Sequence, residues 1–172
     1  VPAQADYDGD GRTDIALFRP STGVWYIAFS DSRNSFRQVP FGEAGDRPAA
    51  ADYDGDGKAD LAVWRPSNGN WYVQGSAGNY FVAEWGVEAD TPAPADYDGD
   101  GKTDLAVFRP SNGTWYIIRS AEGMLIQQFG VDGDQPAPGD YDGDGRYDVA
   151  VFRPSNGTWY TSQSQAGFRV RS

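Results

Sequence analysis

Apolar residues along this chain come in short runs, each closed by Gly, Pro, Asn or Ser. No stretch places apolar side chains at helical spacing over ten or more positions, so an amphipathic helix has nowhere to form. Short runs rich in Val, Ile, Trp, Tyr and Phe predict strands instead. In the third quarter of the chain they fall near Ala93–Tyr97, Asp104–Arg109, Thr114–Arg119 and Met124–Phe129. Between runs lie Ser67-Asn68-Gly69, Ser111-Asn112-Gly113 and Ser155-Asn156-Gly157. Asn and Gly tolerate the left-handed backbone of a hairpin turn, so these are turns between antiparallel strands.

The same order of strands and turns occurs four times. An Asp that opens each unit stands at 6, 52, 96 and 140, at intervals of 46, 44 and 44 residues. The repeats run over about 1–47, 48–91, 92–135 and 136–172 of a single domain. Four antiparallel strands in about 44 residues match one blade of a β-propeller. The first strand of each unit is built from small residues (Ala3 and Ala5, Ala49 to Ala51, Ala93 and Ala95, Ala137 and Gly139), as an innermost strand near an axis requires. The second strand, Leu105 to Phe108 and its copies, is apolar on both faces, as expected of a sheet sandwiched between neighbours. The expected fold is all-β: four repeats of four antiparallel strands forming β-propeller blades. The four either close as a four-bladed ring or belong to a larger or oligomeric propeller. Unclosed faces would be apolar, so an open form must assemble.

Charge changes the picture. The net charge is −11, and 16 of the 21 Asp lie in one nine-residue motif written four times. Without those 16 the balance is +5, so the acidity is local. The motif supplies Asp6, Asp8, Asp10 and Asp14, then Asp52, Asp54, Asp56 and Asp60, then Asp96, Asp98, Asp100 and Asp104, then Asp140, Asp142, Asp144 and Asp148. Four carboxylates so close repel one another unless a cation joins them. Alternate carboxylates can curl around one hard cation, with Gly11, Gly57, Gly101 and Gly145 permitting the turn, which points to Ca²⁺, one per repeat and four in all. The position-7 residues Arg12, Lys58, Lys102 and Arg146 would add a backbone carbonyl and send their side chains to solvent. An EF-hand would need a bidentate Glu at position 12, where this chain has Leu17, Val63, Val107 and Val151. Mg²⁺, which keeps its waters, suits such a cage less well.

These loops, together with Phe41-Gly42 and Gly45-Asp46-Arg47-Pro48, Trp85-Gly86 and Pro92, and Phe129-Gly130 and Gly133-Asp134-Gln135-Pro136, resemble the FG-GAP (VCBS) repeats. Such repeats build the integrin α-subunit propeller, fungal propeller lectins and many bacterial secreted proteins. The resemblance covers essentially the whole chain. It departs at Trp85, which replaces Phe, at the missing Gly before Pro92, and in having four units where integrin and lectin propellers have seven. It implies calcium binding, adhesion or lectin-like binding, and an extracellular, secreted or cell-surface location.

Other recurring residues have plainer readings. The pairs Trp25-Tyr26, Trp71-Tyr72, Trp115-Tyr116 and Trp159-Tyr160 could stack on sugars, but adjacent strand residues face opposite ways, so one of each pair is expected to pack between sheets. Arg19, Arg65, Arg109 and Arg153 are expected to pair with a loop Asp or stack on an aromatic ring rather than form an anion site. Asn112 and Asn156 match the glycosylation pattern, which the hairpin turn explains equally. The residues that break the repeat are Glu84, Trp85, Glu88, Glu122, Tyr80, Tyr147, Trp64, Arg33 and Arg37, and of these Glu84, Trp85 and Glu88 form the candidate ligand site.

The chain has no His and no Cys, which removes imidazole bases, thiolate nucleophiles, disulfides and the usual zinc sites. Paired carboxylates at Glu84 and Glu88 would suit a glycosidase, but nothing else supports catalysis, so no enzyme is expected. Net acidity argues against nucleic acid, and no apolar run spans a membrane. Val1-Pro2-Ala3 is not a signal peptide, and the chain opens where a first strand opens, as a mature or trimmed product would. The expected function is a non-enzymatic extracellular calcium-binding module for a glycan or protein ligand. The alternatives are a structural protomer of an extracellular oligomer or filament, and a carbohydrate-binding accessory domain of a secreted polysaccharide-active enzyme.

Overall fold

The computed structural model describes residues 1–30 and 35–171. Arg33 lies outside the described residues. The described residues form fifteen strands, one short 3-10 turn and no α-helix. The first sheet holds β1 (Ile15–Arg19), β2 (Val24–Ala28) and β3 (Phe36–Pro40). The second holds β4 (Arg47–Pro48), β5 (Leu61–Arg65), β6 (Asn70–Gln74) and β7 (Tyr80–Glu84). The third holds β8 (Thr91–Pro92), β9 (Leu105–Arg109), β10 (Thr114–Arg119) and β11 (Gly123–Gln128). The fourth holds β12 (Gln135–Pro136), β13 (Val149–Arg153), β14 (Thr158–Gln163) and β15 (Gly167–Arg171). Every sheet is an antiparallel meander, so the strand order in space follows the chain.

The small-residue first strand is shorter than its sequence implies. In the third sheet only Thr91 and Pro92 pair continuously, and the expected strand Ala93–Tyr97 reduces to a hydrogen bond from Ala93 N–H to the Ala106 carbonyl and a bridge from Ala95 to Asp104. Pro cannot donate to the ladder, and the chain then turns into the Asp loop, so the pairing frays. The first sheet keeps this strand only as bridges from Pro2 to Leu17 and Ala5 to Asp14.

The chain divides into two compact units, Val1–Glu88 and Ala89–Ser172, each of two sheets. In the first unit, Leu61 and Val63 of β5 pack on Ala16, Phe18, Trp25 and Ile27 of β1 and β2. In the second, Val149 and Val151 of β13 pack on Ala106, Phe108, Trp115 and Ile117 of β9 and β10. The Trp of three Trp-Tyr pairs, at 25, 71 and 115, is fully buried, while the neighbouring Tyr is half-buried on the other face. β5 and β9 are buried on both faces, as their sequences imply. β1 is not: it alternates, with Ile15, Leu17 and Arg19 outward.

Candidate metal centres

Each Asp loop is wound by its own backbone around the first carboxylate. In the third repeat Asp96 accepts the N–H of Gly99 at 2.6 Å and of Gly101 at 2.9 Å. Both glycines have positive φ, 74° and 86°, which a side chain would resist. The same pair of bonds reaches Asp6, Asp52 and Asp140. The ninth position, Asp14, Asp60, Asp104 or Asp148, is buried beneath the loop. It accepts the N–H of the loop Tyr with one oxygen and the N–H of a Ser in the β2–β3 turn, or its equivalent, with the other.

Those serines, Ser30, Ser76, Ser120 and Ser164, are functional residues that the sequence reading missed. Each stands 16 residues beyond its Asp, and that constant offset was the available signal. The hydroxyls of Ser76, Ser120 and Ser164 donate to the fifth-position carboxylates Asp56, Asp100 and Asp144 at 2.5 Å. That bond holds all three acids below the usual carboxylate range.

The consequence is a change in which acids meet. Carboxylate oxygens lie within 4.8 Å of one another in Asp52, Asp54 and Asp60, in Asp96, Asp98 and Asp104, and in Asp140, Asp142 and Asp148. These are positions 1, 3 and 9, with the fifth acid held by its Ser. In the first repeat Ser30 Oγ stands 3.4 Å from both oxygens of Asp10, and the cluster there is Asp6, Asp8 and Asp10. The position-7 residues give their N–H to the fifth acid, at 2.9 Å in Arg12, Lys58 and Lys102 and 2.8 Å in Arg146. Their side chains do not all run to solvent: the Lys58 stem lies against Gly9, and Arg146 lies against Gly99 and pairs with Glu122 at 3.1 Å.

The donor set fits a hard divalent cation. Asp54 Oδ2, Asp98 Oδ1 and Asp142 Oδ1 are buried with no hydrogen-bond donor, although each belongs to an acidic cluster. Asp98 is held by its other oxygen, which accepts Ala121 and Glu122 N–H at 2.9 and 3.0 Å, leaving Oδ1 buried without a donor. Burial pushes the Asp104 carboxyl up to about 6, with Asp98 and Asp96 adding repulsion. A buried, unpartnered carboxylate oxygen among like charges is costly unless a cation occupies the space between them.

The FG-GAP-like repeat pattern matches residues 6–63, 52–107 and 96–151. The chain belongs to the FG-GAP-like repeat family. No curated protein matches it at a significant level. Among solved structures it is similar to an Agrocybe aegerita lectin described for specific recognition of non-reducing terminal N-acetylglucosamine, with TM-score 0.63 and 19% identity. That match covers 99% of this chain and 52% of the lectin, so the chain spans about half the lectin's length. A match to the V. cholerae biofilm matrix protein Bap1 has TM-score 0.41 and 21% identity, over 98% of this chain and 29% of that one.

The geometry explains the residues that give FG-GAP-like repeats their name. Phe129 N–H donates to the Gly113 carbonyl of the hairpin turn at 2.8 Å, and its own carbonyl accepts Trp115 Nε1 at 2.9 Å. Gly130 lies under the Phe108 ring, 3.0 Å from where a Cβ would stand. Trp85 serves the same backbone role as Phe41 and Phe129, its carbonyl accepting both Trp71 and Trp64 Nε1. The junction also supplies the acid for three of the four repeat arginines. Arg65, Arg109 and Arg153 clasp Asp46, Asp90 and Asp134 through Nε at 2.7, 2.8 and 2.7 Å, and stack on Tyr72, Tyr116 and Tyr160. Of the two expected roles, stacking on an aromatic ring is present at all four arginines, while the acid partner of Arg65, Arg109 and Arg153 is a junction Asp and not a loop Asp. The signal was an Asp two residues before Pro48, Pro92 and Pro136.

The candidate ligand residues do not gather. Glu88 lines a cleft of about 180 Å³ with Ala44, Gly45, Arg65, Pro66 and Ser67, whereas Glu84 ends β7 on the exposed surface. Trp85 is half-buried and occupied as described. Glu122 pairs with Arg119 and Arg146, Trp64 is core, Tyr80 packs edge-on to Phe41, and Tyr147 N–H donates to the Asp96 carbonyl. Arg37 lines a larger cleft of about 450 Å³ with Tyr7, Phe29 and Lys58. Asn112 and Asn156 donate to Tyr116 and Tyr160 hydroxyls, the structural use of the turn. No helix among the described residues is long and apolar enough to cross a membrane.

Proposed function

We propose that this protein is a non-enzymatic extracellular binding module whose sheets are propeller blades, each clamped by one Ca²⁺, four in all. The observation that carries the reading is the orphaned buried carboxylate oxygen of Asp54, Asp98 and Asp142 inside clusters of like charge. Family membership and oxygen-only donors favour Ca²⁺ over a softer metal. The cation neutralises the cluster, while the chain's own groups fix its geometry: glycine amides orient position 1, amides of the loop Tyr and the turn Ser orient position 9, turn amides orient position 3 in the third and fourth repeats, and Ser withholds position 5 in the last three. An acidic cluster repeated in every unit suits a structural role.

The energetic scale agrees with that role. Free Ca²⁺ at 100 times Kd stabilises by about 2.7 kcal/mol per site, so four independent sites approach 11 kcal/mol, comparable to a domain's whole stability. Millimolar calcium outside cells supports the location, since loops of this kind work at about 10⁻⁴–10⁻³ M. The ligand is a glycan or protein surface, and GlcNAc-terminated glycans are the first class to test because the similar fold of the lectin recognises them.

Native mass spectrometry with and without EGTA tests the metal reading. Four calcium ions per chain, lost in EGTA with a fall in melting temperature, is the expected result. A chain that takes up no calcium and melts identically in EGTA refutes it.

A further inference from the structure

We propose that the third and fourth metal centres bind calcium cooperatively, with Arg146 and Glu122 as the positioning residues that join them. This rests on the calcium reading above. Both centres carry the orphaned, buried oxygen on which that reading depends, Asp98 Oδ1 in one and Asp142 Oδ1 in the other.

The fourth Asp loop reaches the frame of the third centre at three points, all within one compact unit. Tyr147 N–H donates to the Asp96 carbonyl at 2.7 Å. The Arg146 side chain crosses Gly99, its Cγ 3.0 Å from where a Cβ would stand. Its guanidinium then meets the Glu122 carboxylate at 3.1 Å. Each contact lands on a group that holds a third-centre acid. Asp96 is itself position 1, the Gly99 amide donates to Asp96 at 2.6 Å, and the Glu122 amide donates to Asp98 at 3.0 Å. Arg146 also belongs to the fourth loop's own frame, because its N–H donates to Asp144 at 2.8 Å.

Glu122 is particular to this pair: the equivalent positions hold Ser32, Gly78 and Ala166. In the first unit Ala59 N–H bonds the Asp6 carbonyl and the Lys58 stem lies on Gly9, but Ser32 offers no carboxylate for a bridge. Arg146 and Glu122 are each 40% exposed, so their ion pair adds little to stability by itself. Its effect is positional. Once the fourth loop is ordered, Arg146 and Tyr147 are fixed, and Asp96 and Asp98 are already placed for the second ion. Linkage makes the effect reciprocal, and coupling of this kind changes affinity by about 5–150-fold.

Calcium titration of the full chain followed by proton–nitrogen NMR tests this, because glycine amides report each centre separately. Gly99 and Gly101 read the third, Gly143 and Gly145 the fourth. Asp142→Asn disables the fourth centre and Asp98→Asn the third. Whichever centre fills second in the parent should need about fivefold or more calcium once its neighbour is disabled. Arg146→Met, which keeps the stem and the backbone, should shrink that ratio with little change in melting temperature, and Arg146→Lys should restore part of it. Glu122→Ala cuts the same bridge from the other side, and is the second variant should Arg146→Met disturb the loop. Midpoints that stay put, or fall, when the neighbour is disabled overturn the proposal and leave the calcium reading standing. An undiminished ratio in both Arg146→Met and Glu122→Ala overturns it as well. Glycine amides that ignore calcium altogether refute the calcium reading, and this proposal with it.

Discussion

Asp98→Asn separates a metal ligand from a merely structural carboxylate, because the two roles predict opposite signs in two buffers. Asp98 is 6% exposed; one oxygen accepts two backbone amides, and the other is orphaned among Asp96 and Asp104. Asn keeps an acceptor for the amides and removes one negative charge from the cluster. Without metal, the substitution relieves repulsion, and the variant should melt above the parent. With Ca²⁺ at 100 times Kd, the parent gains about 2.7 kcal/mol at this site and the variant gains little. At about 2–4 °C per kcal/mol for a chain of this size, calcium should raise the parent's melting temperature by roughly 5–11 °C more than the variant's, enough to reverse their order. Calorimetry in calcium and in EGTA reads both signs. An equal loss in the two buffers would show that Asp98 is only an amide acceptor, and the reasoning from its orphaned oxygen would fail.

Two further outcomes follow from the same structure. Gly113→Ala places a Cβ 2.1 Å from the Gly130 carbonyl at a φ of 63°, whereas Gly157→Ala, at 68°, meets nothing within 4 Å. The second should cost only the left-handed strain of about 1–2 kcal/mol, and the first clearly more, read as the difference in urea midpoints; equal costs would deny the close approach. In metal-free protein, the Asp104 carboxyl raised to about 6 lies above its unfolded value. The folded state therefore binds more protons across that interval, so this group's contribution to stability is present at acid pH and lost as pH rises through about 6. Melting in EGTA should rise on going from pH 7 to pH 5, while calcium affinity by titration calorimetry should fall.

Much of this was written in the sequence where the repeat itself carries the information. The Asp spacing, the hairpin glycines and the apolar alternation are local, and they place three of the four strands of the third sheet within a residue or two. What escaped depends on partners. Arg65 has loop acids close in sequence, yet Asp46 wins because the junction lays it along the guanidinium in the buried interior. Ser120 reads as an ordinary turn residue until the turn folds over the loop and its hydroxyl meets Asp100. β1 differs little in composition from β9, and nothing in Ile15 or Leu17 distinguishes their exposed side chains from the buried Leu105 and Val107. Glu84 and Glu88 are near in sequence, but β7 ends between them and they diverge.

The junction clasp gives assembly a direction. Each Asp leads its Arg by 19 residues, so during synthesis the acid leaves the ribosome first and waits only briefly for its cation. Every new repeat emerges beside a half-made lock that the previous one has already presented, and no lock waits on distant chain. Each clasp is therefore closed by local chain, one per repeat after the first, so a repeat needs only its immediate neighbour to complete its own lock.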